Sequence, residues 1–190
     1  DGQLRYYPCS PELARQLSRE QDRLHCNEKH PEDGQLLKEN MHFDRRVAVH
    51  LGEGWHVPRA LLPTREKRVV LLIDPPFEQA DELERCVVAL NEAIGRMRQA
   101  IVAIWYPIKD EAAAAAFVDS LEAPKRLVME LRLGSEVGTG KLTACGLAVV
   151  NPPWRFEEAM AEALPWIAAT LGGKARLVAP SASAPAPAAR

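Results

Sequence analysis

Five consecutive apolar residues, Val69-Val70-Leu71-Leu72-Ile73, run straight into Asp74-Pro75-Pro76-Phe77. Three of the five are β-branched, and such a run predicts a strand buried on both faces, as in a parallel sheet. Proline has no backbone N–H to give to a ladder, so the chain must leave the sheet at the Pro-Pro pair. Asp74 is therefore predicted at the carboxyl end of a central strand, where open α/β sheets gather their ligand sites. An amphipathic helix is predicted over residues 79–97.

The rest of the chain repeats that alternation. Helices are predicted over 10–21, with Ser10 as N-cap and Pro11 as the first helical residue, and over 31–42, 55–62, 110–121 and 155–171. Strands are predicted over 23–28, 46–51, 100–107, 126–133, 142–150 and 174–179. Residues 134–141 read as a hairpin loop joining an antiparallel pair. Residues 181–190 contain Ala, Pro and Ser up to a final Arg, and are expected to be a disordered tail. The prediction is a doubly wound α/β sheet in one domain over 1–180.

Composition limits the function classes more by exclusion than by signal. At 47% hydrophobic and 26% charged residues the chain has the make-up of a globular domain, and no apolar window is long enough for a membrane span. A net charge of −2 does not mark a nucleic-acid binder, so any RNA contact is expected from a local patch. Cys9, Cys26, Cys86 and Cys145 form no CxxC pair, and the five histidines do not fall into ligand spacing with them. Reduced thiols, a cytoplasmic setting and no metal site are expected.

Asp74-Pro75-Pro76-Phe77 resembles the catalytic tetrapeptide of S-adenosylmethionine-dependent amino-methyltransferases, which read Asp or Asn, Pro, Pro, aromatic. The exocyclic amine of adenine is a poor nucleophile because its lone pair is delocalised into the ring. A side-chain oxygen of Asp74 and the carbonyl of Pro75 can each accept one N–H and turn the lone pair toward the methyl group. Phe77 offers a face on which a flipped-out base can stack. The alternative is a strand that ends in a Pro-Pro turn beside a packed aromatic.

Other patterns compete. Asn151-Pro152-Pro153-Trp154 fits the same tetrapeptide, but it falls on a late strand, where a Pro-Pro break serves to start the last helix. Residues 134–141 approximate a phosphate loop yet carry Ser135 and Leu142 at positions where that loop needs Gly and a hydroxyl. Glu28 and Glu53 each end a predicted strand, where a carboxylate commonly takes ribose hydroxyls; a solvated loop acid is the alternative. Trp105-Tyr106-Pro107 ends the neighbouring strand, as a wall of the base pocket or as buried packing.

Together these residues resemble the bacterial 23S ribosomal RNA adenine-N6 methyltransferases, which modify a single adenine on free RNA. The resemblance covers Gly2 to Pro8 with Ser10-Pro11, Ala14 to Leu17, Arg19 to Asp22, Glu28 with His30-Pro31 and Glu53-Gly54. It continues through Leu72 to Pro76, Trp105 to Pro107 and Asn151 to Trp154, or about residues 2–170. It implies a class I, Rossmann-like fold with a C-terminal antiparallel pair, S-adenosylmethionine as cofactor, 23S rRNA free of protein as partner, and a monomer when full length. It implies Asp74 as catalytic residue with Pro75 and Phe77, and Ser10, Glu28, Glu53, Gly54 and Asp74 at the cofactor. We read Asp74 as a hydrogen-bond acceptor, because a neutral aniline-like N–H is far too weak an acid to be deprotonated first. A DNA adenine-N6 methyltransferase, or an inactive fold remnant that binds RNA or a partner, are the alternatives.

The chain departs from the family in three ways. Glu53 stands where Asp is usual, and Phe77 stands where Tyr is usual. Asp1 falls about a third of the way along the family's length, beyond a basic, His-containing segment and the first strand with its Gly-rich cofactor loop. The sequence thus reads as a C-terminal portion, or as a gene read from the wrong start, whose sheet lacks its first strand. Residues 1–190 alone are expected to be marginally stable, prone to aggregate and weak in cofactor binding.

Overall fold

Two compact units, 1–57 and 58–190, make up the computed structural model, which describes residues 7–134 and 142–178. Residues 135–141 of the predicted 134–141 loop, the first six residues and the predicted 181–190 tail lie outside the described residues.

The first unit holds α1 (Ser10–Leu17), β1 (Leu24–Glu28), α2 (Pro31–Met41) and β2 (Val47–Leu51). The strands pair in parallel, from Leu24 opposite Val47 to Glu28 opposite Leu51. Ser10 is not the N-cap that was predicted: Cys9 caps α1 without a side-chain bond, and Ser10 is already helical with Pro11 behind it. Proline's fixed φ suits either of the first two helical positions, so Pro11 alone does not set the cap. Helix α1 stops four residues earlier than predicted. Arg46 explains the stop, because its guanidinium takes the carbonyls of Arg15 at 3.2 Å and of Ser18 and Arg19 at 2.9 Å. Asp44 holds that guanidinium through two bonds of 3.0 and 2.7 Å. Gly34 lets α2 press onto β2, since a Cβ there would collide with Leu51 Cδ2.

The second unit contains α3 (Val57–Leu61, beginning at its boundary), β3 (Val70–Ile73), α4 (Glu82–Arg96), β4 (Ile101–Pro107) and α5 (Glu111–Ser120). It continues with β5 (Arg126–Leu133), β6 (Ala144–Val150), α6 (Phe156–Thr170) and β7 (Gly173–Val178). The sheet order is β3-β4-β6-β5-β7. β3 and β4 are parallel, whereas β6 runs antiparallel to both β4 and β5, and β7 antiparallel to β5. The predicted C-terminal antiparallel pair is therefore present, and β6 takes the place between β4 and β5.

Both faces of this sheet carry a core. Val102, Ile104 and Tyr106 of β4 alternate into one face, and the Tyr106 ring meets Phe117 of α5 at 5.0 Å. Gly146 is needed there, because any Cβ would run into the Tyr106 ring. On the other face Leu127, Met129 and Val149 pack with Leu164 of α6. Each such aliphatic burial is worth roughly 1.5–3 kcal/mol, which makes this unit the stable part of the molecule.

β3 differs from its prediction. It is an edge strand with β4 as its one partner among the described residues, and Val70 is 71% and Leu72 49% exposed. A run apolar enough to be covered twice is covered once. β1 likewise has β2 as its one partner among the described residues.

Candidate active site

Register decides which residues share an end of the second unit's sheet. Ile73 lies opposite Ile104, so Asp74 leaves β3 level with Trp105, at the carboxyl ends of the two parallel strands. β6 runs the other way, and Val150 lies opposite Val102. Asn151-Pro152-Pro153-Trp154 therefore sits at the opposite end of the sheet from Asp74. Its Asn151 is a staple: Nδ2 donates to the carbonyls of Arg98 and Ala100 at 3.0 and 2.9 Å, and its backbone N–H to the Lys125 carbonyl at 3.0 Å. Trp154 is 89% exposed there.

Asp74 is exposed as a residue, yet the protein on one side of its carboxyl pushes the pKa above the ordinary value through burial. The carbonyl of Pro75 accepts no hydrogen bond from the described residues. Phe77 adopts a left-handed backbone, with φ 53°, and only 7% of it is exposed. Its ring meets Trp105 at 5.8 Å and 56°. Phe77 is thus not the open stacking platform that the sequence suggests: its turn folds the ring inward onto Trp105. Lys109, beyond the end of β4, donates from Nζ to the Phe77 carbonyl at 2.6 Å. Trp105 stays half-buried, while Tyr106 is fully buried and belongs to the core.

In the first unit, Glu28, Glu53 and Gly54 gather at the carboxyl ends of β1 and β2. The Gly52 N–H donates to the Glu28 carbonyl at 2.9 Å, and Asn27 Nδ2 to the Gly52 carbonyl at 2.7 Å. Glu28 Oε1 accepts the His30 N–H at 2.8 Å, and Glu53 pairs with Lys29 Nζ at 2.8 Å. Gly54 opens a short 3-10 turn. Ser10 is not drawn into this cluster, because the ties of α1 run to Asp44 and Arg46 at the amino end of β2. The cluster and the Asp74 turn belong to different units. Among the described residues no group of His, Cys, Asp and Glu could hold a metal ion.

Sequence reasoning missed Asn27 and Lys109. Asn27 lies one residue before the strand-ending Glu28, a place where a side-chain amide can tie down the next loop. Lys109 has only a weak signal: it is a cation two residues past Pro107, beside an acid, Asp110, that starts a helix.

A family model described as "Ribosomal RNA large subunit methyltransferase D, RlmJ" matches residues 1–178. Ribosomal RNA large subunit methyltransferase J of Escherichia coli K12 is 38% identical over 169 residues, 87% of this chain and 60% of that protein. The protein of the same name from Haemophilus influenzae is 38% identical over 172 residues, 89% of this chain and 61% of that one. The chain thus spans about three fifths of the length of these relatives. A crystal structure of protein LPL1258 from Legionella pneumophila superposes with a TM-score of 0.85 at 29% identity, covering 93% of this chain and 67% of that one.

Proposed function

The chain belongs to the ribosomal RNA large subunit methyltransferase J family, and we propose that the whole protein methylates N6 of one adenine in 23S rRNA, taken as protein-free RNA. The observation that carries this reading is the Asp74-Pro75-Pro76-Phe77 turn at the carboxyl end of β3, with the Pro75 carbonyl left free of partners among the described residues. The cofactor is S-adenosylmethionine, the setting cytoplasmic, and the whole protein a monomer. The two units are the two parts of one class I domain over 1–180.

Asp74 accepts one N–H of the target amine and Pro75 the other, which aims the lone pair and holds the nitrogen at attacking distance. As the nitrogen becomes cationic, both oxygens stabilise it. The proton lost after transfer passes to the Asp74 carboxylate or to water, and a raised pKa makes Asp74 the better acceptor. Phe77 shapes the pocket through Trp105 rather than by an open face. The residues present fit the nucleoside half of the cofactor: Glu28 and Glu53 bring carboxylates to adjoining strand ends, where Gly54 opens the next turn. When bound, S-adenosylmethionine would supply the electrophilic methyl group.

The exposed apolar residues of β3, Val70 and Leu72, support the further proposal that this edge takes another parallel strand in the whole protein. Tight cofactor binding by residues 1–190 alone, as a cooperatively melting monomer, would remove it.

The test offers the whole protein, with labelled cofactor, three substrates side by side: protein-free 23S rRNA, assembled large subunits and duplex adenine DNA. Label in the free RNA, recovered as N6-methyladenine, is the expected result. Label in DNA alone favours the DNA enzyme, and label in none the inactive remnant; either overturns the reading.

A further inference from the structure

We infer that Lys109 is a positioning residue for methyl transfer: its ammonium clamps the Phe77 carbonyl and thereby sets the direction of the Pro75 carbonyl two residues earlier. The inference deepens the methyl-transfer reading and rests on it. Phe77 is a non-glycine residue in the left-handed region, a conformation that is strained and persists only where the surroundings hold it. Two of the groups that hold it come from the end of β4. Trp105 packs against the ring, and Lys109 Nζ reaches the carbonyl at 2.6 Å. A charged donor at that distance makes one of the stronger kinds of hydrogen bond.

The backbone carrying Lys109 is itself fixed on both sides. Ile108 is buried and its N–H donates to the Ala144 carbonyl at 2.9 Å. Asp110 caps α5, with Oδ1 accepting from the Ala113 N–H at 2.7 Å. On the far side of the turn, Glu82 accepts the Gln79 N–H at 2.9 Å. The tetrapeptide is therefore strung between anchored points, and Lys109 bonds its backbone directly through a charge. Among the described residues the Lys109 ammonium is engaged by the Phe77 carbonyl and forms no ion pair with Asp74. The charge acts on the backbone.

The experiment compares Lys109→Met and Lys109→Arg with the wild type in the whole protein. It reads single-turnover methylation of protein-free 23S rRNA, cofactor and RNA affinity by titration, and amide exchange over residues 77–79. Lys109→Met is expected to slow the chemical step by about tenfold to a hundredfold, the size of a small misplacement of a reacting group. Cofactor and RNA affinities should stay within about twofold, exchange at 77–79 should rise, and Lys109→Arg should restore most of the rate. An unchanged single-turnover rate in a folded Lys109→Met protein overturns the inference, as does a loss confined to RNA affinity. If Lys109→Met does not fold, Lys109→Gln, which keeps a donor without charge, should show an intermediate rate; a wild-type rate would sink the clamp. A wild type that methylates none of the substrates defeats the methyl-transfer reading instead, while exchange at residues 77–79 still reports whether the clamp exists.

Discussion

The two units are built from similar elements but held by different forces. In the first, Gly34 and Met41 alone are buried among the described residues, and order rests on Arg46, which joins Asp44 to three carbonyls at the end of α1. In the second, both sheet faces close over side chains such as Ile104, Leu90 and Met129. The difference teaches that strands of equal apolarity do not gain equal stability. β4, paired on both sides and covered, is core; β3, next to it, is an edge with exposed valine and leucine.

The largest effect should come from the covered sheet. Ile104→Ala removes a fully buried side chain and should cost about 2–5 kcal/mol in urea unfolding. Arg46→Ala should then divide the molecule: amide exchange over residues 10–28 speeds up while residues 101–107 and 144–150 keep their protection. Equal loss in both would show that the units stand or fall together and would break the comparison.

Acid sharpens it further. Arg15 and Gln16 hold Glu12 down to about pKa 2, and the Arg46 side chain holds Asp44 well below the usual carboxylate range. Folded pKa values below the unfolded ones mean stability that is full above about pH 4.5 and lost as pH falls toward 2. Asp74 has the opposite sign, since burial raises it, so acid relieves rather than adds a cost there. Exchange measured down a pH series should show the first unit losing protection first. The smallest effect belongs to Leu36→Ala. Leu36 is an exposed leucine of α2, and its loss should stay within about 0.5 kcal/mol.

Much of this was legible in the sequence because it depends on local chemistry. The Asp74-Pro75-Pro76 break fixes where β3 ends, and the antiparallel pair follows from two apolar runs joined by one short polar loop. The apolarity of β3, greater than an edge strand needs, was legible too. What sequence could not carry is set by distant contacts. α1 ends where Arg46, some thirty residues on, takes its carbonyls. Phe77 turns inward because of its left-handed φ and Trp105, and neither is visible in a tetrapeptide. Lys109 is bound to a carbonyl 32 residues away, a distance over which periodicity says nothing.

The most direct test of the central claim is single-turnover methylation of protein-free 23S rRNA by the whole protein, wild type beside Asp74→Ala. The account predicts N6-methyladenine at one position from the wild type and a loss of at least about a hundredfold in Asp74→Ala, the scale of removing one oriented contact to developing charge. Transfer at the wild-type rate by Asp74→Ala would contradict it.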